Sequence, residues 1–387
     1  MKIRFLSLLA LSVLLLSSFT SPADVVNLSE EGTANCYIVS QSGCYKFRAV
    51  KGCRKWLVGQ VASASVLWES FGTNVTPQVG ELIKEASYDN GYITFQTADT
   101  FQEGNAVIAA KDASGKILWS WHIWFTDQPE EQVYYNNAGI LMDRNLGATS
   151  ATPGDPCALG LLYQWGRKDP FLGGTSILVD FRNPGFSPYP YYDQTVIAKS
   201  TLAWPSVVTA DSSRGTIEYT IANPTTFIVC YIGDSDWQYN AASNVGDKNR
   251  WTTSKKAKSI YDPCPVGWRV PDGGSKGVWA KALGSASANV KFDQENRGVN
   301  FSGQFGSAPV IWYPAAGRRE YRDGDLYPAG YEGRCWAASA GRFSADGLTF
   351  WINRRRIDPD GGGYCASAFS VRCIKEINQV AGANAEE

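Results

Sequence analysis

The segment Ile117-Leu-Trp-Ser-Trp-His-Ile-Trp-Phe125 places Ile117, Trp119, Trp121, Ile123 and Phe125 on one side of an extended chain and Ser120 and His122 on the other. A period of two predicts a strand with one heavily apolar face. Tyr92-Ile-Thr-Phe-Gln96 alternates in the same way, and Ala106-Val-Ile-Ala-Ala110 leads through a turn-rich Asp112-Ala-Ser-Gly115 into the tryptophan strand. Cys36-Tyr-Ile-Val-Ser40 and Cys44-Tyr-Lys-Phe47, separated by Gln-Ser-Gly, predict a hairpin. Residues 24–128 are therefore expected to form an antiparallel β-sandwich.

The polar, proline-bearing Asp127-Gln-Pro-Glu-Glu131 marks a linker over 129–137. A second domain is expected over 138–376, opened by strands in Ala138–Gly147 and Leu161–Gly166. Residues 168–250, rich in Pro, Gly, Tyr and Asp, show little periodicity and predict a long surface insertion, with Pro184–Tyr192 its most irregular stretch. Short helices are expected at Thr253–Ile260, capped by Thr253 or Ser254, and at Ser275–Leu283. Strands follow at Val299–Gly303, Ile311–Pro314, Arg334–Ala338, Leu348–Ile352 and Ala368–Cys373, and a disordered tail at 377–387. The fold class is mainly β with short helices (α+β).

Lys2 and Arg4, the apolar run Phe5–Leu16 and the small residues of Ser21-Pro-Ala23 have the form of a cleavable signal peptide over 1–23. No cysteine lies near the cleavage point, and no later stretch reaches the roughly 18 apolar residues of a membrane span. The expected location is the cell surface, a fimbrium or the extracellular space, with the periplasm also allowed. With 36 basic against 37 acidic residues, bulk charge does not favour a nucleic acid or an anionic membrane. Aromatic residues make up 13% of the chain and glycines number 38, a composition suited to strands and turns.

Few parts for catalysis are present. His122 is the single histidine, so any Ser-His-Asp arrangement would have to use it, and it is expected to be a half-exposed strand residue. Asp358-Pro-Asp-Gly-Gly-Gly363 opens no strand-to-helix phosphate loop and predicts a turn. A carboxylate pair for glycoside hydrolysis cannot be singled out among 37 acidic residues. No catalytic residue or cofactor is assigned. Binding has better material, because sugar sites combine aromatic faces with short polar side chains. Trp312, Tyr313, Tyr321, Asp323, Asp325 and Tyr327 supply both within one segment. Asp323 with Asp325, or Asp358 with Asp360, could offer oxygens to calcium, though neither pair has full EF-hand spacing. Nine cysteines, an odd number, leave at least one unpaired or intermolecular, and one local bridge among Cys36, Cys44 and Cys53 is open. With no CxxC pair and one histidine, zinc is a weak reading.

Met142-Asp-Arg-Asn-Leu-Gly147, Leu162-Tyr-Gln-Trp-Gly-Arg-Lys-Asp-Pro170, Asn223-Pro-Thr-Thr-Phe227, Asp262-Pro-Cys-Pro-Val-Gly-Trp-Arg-Val-Pro271, Phe305–Gly317 and Ser370-Val-Arg-Cys373 together resemble the Fibrobacter-type major paralogous domain of Bacteroidetes surface proteins. Ala34–Val39 and Gly104–Gly115 resemble the leader domain fused to it in fimbrillin-like proteins. The resemblance implies an immunoglobulin-like first domain and a C-type-lectin-like second one, stapled by Cys264–Cys373. The placement of Cys335 and Cys365 in the final strands, on either side of the hairpin segment 341–364, leaves a second bridge between them open. The resemblance places the loop after Tyr313 where lectin-like folds carry their long variable loop. The Glu-Pro-Asn motif of calcium-dependent animal lectins is absent. The fold also hosts formylglycine-generating enzymes, and Cys335 falls in a comparable late strand. The expectation is an adhesion or recognition protein without catalysis, its partner a glycan or a host or matrix protein. The competing expectation is a structural subunit that assembles with other fimbrial subunits, with 117–125 as strand acceptor and the polar tail a poor donor.

Overall fold

The computed structural model describes residues 25–177, 206–231, 235–239, 250–253, 257–284, 290–301, 311–327, 329–340 and 344–376. The expected signal peptide, the Pro184–Tyr192 stretch and the expected tail lie outside the described residues. The chain is mainly β, with two short α-helices among the described residues, and no helix there is long and apolar enough to cross a membrane.

Eight strands occupy the N-terminal third: β1 (Val26–Asn27), β2 (Cys36–Val39), β3 (Cys44–Arg48), β4 (Ser63–Ser70), β5 (Ile83–Asp89), β6 (Tyr92–Thr97), β7 (Gly104–Lys111) and β8 (Ile117–Phe125). They form two four-stranded sheets, ordered β1-β3-β6-β5 and β2-β8-β7-β4. Alternation sets the faces: Tyr45 and Phe47 of β3 and Ile93 and Phe95 of β6 are buried, while their sequence neighbours are partly exposed. These side chains meet Trp119, Trp121, Ile123 and Phe125 of β8 in one apolar cluster. The Phe47 ring stands edge-on to Trp121 at 5.2 Å. Each such aromatic contributes about 2–3 kcal/mol by leaving water.

Two expectations for this region are corrected. The segments 36–40 and 44–47 are not a hairpin: β2 pairs parallel with β8 and β3 pairs antiparallel with β6, so the turn between them crosses from one sheet to the other. The second face of β8 is also not open to water. Ser120, His122 and Trp124 are all buried, because the rest of the chain packs over them. Trp68, Val107, Ala109 and Trp124 share a core with Leu146, Leu161, Tyr163 and Trp165. β7 pairs with β8 along its length, while β2 pairs with His122–Phe125 on the other side, so the C-terminal half of β8 has no edge to offer a donor strand.

A seam of buried polar groups joins this third to the remainder. Asn35 donates to the carbonyls of Ile260 and Asp262 at 2.7 and 2.9 Å and accepts from Trp119 Nε1 at 2.9 Å. Lys168 Nζ reaches Ser120 Oγ at 2.6 Å and Asp169 Oδ1 at 2.7 Å, and Ser120 donates to Asp169 at 2.6 Å. Asn105 donates to Gly147 O at 2.9 Å, and Trp124 Nε1 to Ala148 O at 3.0 Å. Gly52, at φ +53°, lets the backbone pass so closely that a Cβ would lie 2.3 Å from Ile260 O. The expected linker is part of this body. Glu131–Tyr134 forms β9, paired antiparallel with β10 (Gly139–Met142) after a turn in which Asn136 and Asn137 take left-handed φ values of 56° and 52°. Buried Tyr134 fixes the strand through its hydroxyl, 2.6 Å from that of Tyr313.

Beyond it lie β11 (Leu161–Gln164) and β12 (Phe171–Leu172). Within the expected surface insertion, β13 (Ser206–Thr209), α1 (Ile217–Ala222) and β14 (Thr226–Val229) form a crossover with parallel strands. Thr216 caps α1 by accepting from Tyr219 N–H at 3.0 Å. Phe227 and Ile228 are fully buried, so this part of the insertion belongs to the core. The expected helix at 253–260 is absent from its described residues. Thr252 pairs with Lys258, and the Lys258 ammonium turns inward to the carbonyls of Cys264, Pro265 and Trp268. Three carbonyl acceptors offset its burial better than a helix surface would.

The strand β15 (Trp268–Arg269) and helix α2 (Val278–Leu283) follow, then β16 (Lys291–Asp293), β17 (Gly298–Asn300) and β18 (Trp312–Pro314), one small antiparallel sheet. The last elements are β19 (Arg318–Arg319), β20 (Leu326–Tyr327), β21 (Glu332–Ala340), β22 (Ala345–Trp351), β23 (Arg356–Asp358), β24 (Gly362–Gly363), β25 (Ala368–Phe369) and β26 (Ile374–Lys375). β26 inserts between β15 and β10, and the Cys264–Cys373 disulfide ties the entry of β15 to that of β26, 109 residues apart. The other expected bridges are not formed. Cys36, Cys44 and Cys53 are thiols, and so is Cys335, which is not bonded to Cys365. Burial pushes the Cys335 thiol up to about 12, so it is inert rather than reactive.

Candidate functional site

The hairpin β19–β20 carries four of the six residues expected to bind. Its register sets Arg318 opposite Tyr327 and Arg319 opposite Leu326. The tip is held by Gly324 N–H to Glu320 O and Glu320 N–H to Asp325 O, both 2.9 Å. Asp323 closes an Asx turn by accepting from Asp325 N–H at 2.9 Å. Gly324 sits at φ +77°, and a Cβ there would lie 3.0 Å from the Phe227 ring, so glycine is needed for both conformation and space. Arg319 is buried beneath the tip and donates to Leu172 O and Gly324 O, each at 2.9 Å. Burial lowers its guanidinium to about 10. An arginine post of this kind fixes the hairpin from below.

Aromatic rings line the outer side. Tyr321 and Tyr364 lie 4.5 Å apart between ring centroids, tilted by 54°. Tyr321 O accepts from Cys230 N–H at 2.9 Å, which brings the tip beside the end of β14, where Tyr231 is 60% exposed. Arg322 donates to Tyr321 Oη at 2.7 Å and lies over its ring. Tyr327 is 39% and Tyr364 45% exposed, and the Arg318 guanidinium lies 4.0 Å from the Tyr327 ring centroid. Arg318 also pairs with Glu320 and Glu332. Polar donors and acceptors therefore fringe exposed aromatic faces that are already held in place.

Trp312 and Tyr313 are corrected: both are core residues of β18. The Tyr313 hydroxyl accepts from Trp279 Nε1 at 2.8 Å, and Arg372 lies 3.7 Å over its ring. Asp323 and Asp325 are exposed, and partial burial, then the neighbouring Asp323, raises the Asp325 carboxyl. Asp358 accepts from Asp360 N–H at 3.2 Å in a second Asx turn. Among the described residues no three His, Cys, Asp or Glu side chains converge to hold a metal ion. Tyr364 and Tyr231 were not anticipated. Tyr364 directly follows the glycine run 361–363, and its partner Tyr321 is far away in sequence.

His122 is buried on the covered face of β8 and not half-exposed. The Asn105 amide nitrogen is committed to Gly147 O, so its oxygen accepts from His122 Nε2 at 2.8 Å. Burial lowers the imidazole to about 3. A depressed pKa gives stability that is full above the unfolded value near 6.5 and is lost as pH falls toward 3. Between pH 6.5 and 4 the wild type should lose about 3 kcal/mol more unfolding free energy than His122→Gln, as measured by urea titration at each pH. Asp262, raised to about 6 by burial, acts in the opposite sense between pH 6 and 4, but equally in both proteins, so it cancels. A hollow bordered by Asn105, Thr149, Cys157 and Thr175 offers a thiol whose pKa burial raises, and no acid–base pair.

Compared with known proteins, the chain matches no family model, no curated protein and no solved structure.

Proposed function

We propose that this is an exported recognition protein that binds glycans through the tyrosine face of the β19–β20 hairpin. Its N-terminal sheets read as an immunoglobulin-like sandwich and its stapled part as a C-type-lectin-like domain at the bacterial surface. The signal-like start and the disulfide support export. The observation that carries the binding assignment is the partly exposed Tyr321–Tyr364 pair at 4.5 Å, in which Tyr321 stands on a hairpin pinned by buried Arg319 and Tyr364 reaches it from the segment after β24. Sugar rings stack on such faces, and a fixed platform loses little entropy on binding.

A glycan and mucin array run with the exported protein, with calcium and with a chelator, tests the assignment. Tyr321→Ala/Tyr364→Ala should weaken binding at least tenfold, about 1.4 kcal/mol, with a single cooperative melting transition retained above the assay temperature. Binding should be equal in calcium and chelator. Undiminished binding by the double variant would remove the site, and no binding by folded wild type would remove the glycan assignment.

A further inference from the structure

The tyrosine face does not end at the hairpin. Arg318, stacked on Tyr327, pairs with Glu332, and Glu332 stands in register with Trp351, which stands in register with Arg356. Glu332, Arg334, Trp351 and Arg356 thus share the outer face of the β21-β22-β23 sheet, while Gly333, Phe350 and Ile357 lie on the other. Trp351 has the Arg334 guanidinium 5.8 Å and the Arg356 guanidinium 5.4 Å from its ring. Arg318 and Arg334 are compensated by Glu320 and Glu332. At the far end the β22–β23 turn carries Asn353, Arg354 and Arg355, followed by Arg356 at the start of β23, all four exposed. Among the described residues no carboxylate pairs with Arg354, Arg355 or Arg356. Arg297 ties the neighbouring β16–β17 turn to this one through Asn353 Oδ1 at 3.3 Å, and exposed Glu295 is the acidic side chain of that turn.

The backbone adds a second observation. Arg355 closes a turn on Ile352 O and adopts φ +44°, a left-handed conformation that glycine or asparagine takes at less cost. A long cation is held there at a conformational penalty, next to a tryptophan and two more cations that no carboxylate among the described residues pairs.

We propose that the Arg354–Arg356 turn and Trp351 form a subsite for the anionic group of an acidic glycan, a carboxylate or sulfate, at the end of the tyrosine face. This rests on the glycan-recognition reading and names its ligand class. Guanidinium groups bind carboxylate and sulfate through paired N–H donors, and a ring already flanked by arginine can take a sugar face.

The test uses the exported protein with dextran sulfate, polygalacturonate and neutral dextran as probes. Wild type should bind the two polyanions and not dextran. Arg354→Ala/Arg355→Gly should weaken polyanion binding at least tenfold, with the slope of log K against log salt smaller by about 2. Its melting temperature should equal or exceed that of wild type, because glycine relieves the left-handed strain. Unchanged polyanion binding by the variant, or binding of a polynucleotide in preference to both polysaccharides, would overturn the subsite. Tyrosine-dependent binding of neutral glycans with no anionic preference would overturn this inference and leave the glycan reading intact. Failure to bind any glycan would overturn both.

Discussion

Replacing Cys264 and Cys373 together by alanine is expected to lower the unfolding free energy by about 4–5 kcal/mol. The bond closes a loop of 109 residues, and the entropy returned to the unfolded chain grows with the logarithm of that length. Both cysteines are fully buried, and the bond joins the entries of β15 and β26, the pair that seals one edge of the β10 sheet. Next to it, Asp262 accepts from the backbone N–H groups of Cys264 and Val270, each at 2.8 Å, so the turn keeps its shape without the sulfur link. The folded structure should therefore survive, with the urea midpoint lowered. A midpoint equal to that of the oxidised wild type would show that the staple contributes nothing.

Trp119→Ala is expected to cost about 4 kcal/mol and to shift one cooperative transition. The ring fills the N-terminal apolar cluster, stacks near Tyr261 at 6.0 Å and lies under the Lys168 ammonium at 4.7 Å. Its Nε1 satisfies Asn35 Oδ1, and the same Asn35 holds the carbonyls of Ile260 and Asp262. Truncation opens a cavity and leaves a buried amide oxygen short of a partner, two costs that add. The residue belongs at once to the N-terminal sheets and to the seam with the rest of the chain, so the whole molecule should unfold together. Calorimetry showing two transitions, with only the lower one moved, would mean that the N-terminal sheets unfold as an independent unit.

Legibility in the sequence followed the range of the forces involved. The strands 92–97 and 117–125 were readable because their alternation is local and the side chains are large. Covering of the second face of β8 was not, since Ser120 and His122 look like solvent-facing residues until Asp169, Asn105 and Tyr163 close over them. Strand β9 was hidden behind a proline and two glutamates, and its anchor, Tyr134, acts through a partner 179 residues away. Thr253–Ile260 has helical spacing, but Lys258 finds three carbonyls by turning inward, a tertiary gain that local propensity does not contain. In the candidate site, the turn chemistry of Asp323 and Gly324 was visible. Trp312 and Tyr313 had the composition of a binding strand but point into the core. The pairing of Tyr321 with Tyr364 depends on hairpins that only the folded chain brings together.

Hydroxyl-radical footprinting of the purified protein, with and without saturating mucin O-glycans, tests the central claim most directly. Glycan binding on the hairpin face predicts that oxidation of Tyr321, Tyr327 and Tyr364 falls while that of exposed Tyr239 is unchanged. Oxidation of those three tyrosines that stays the same while glycan is demonstrably bound would contradict the account.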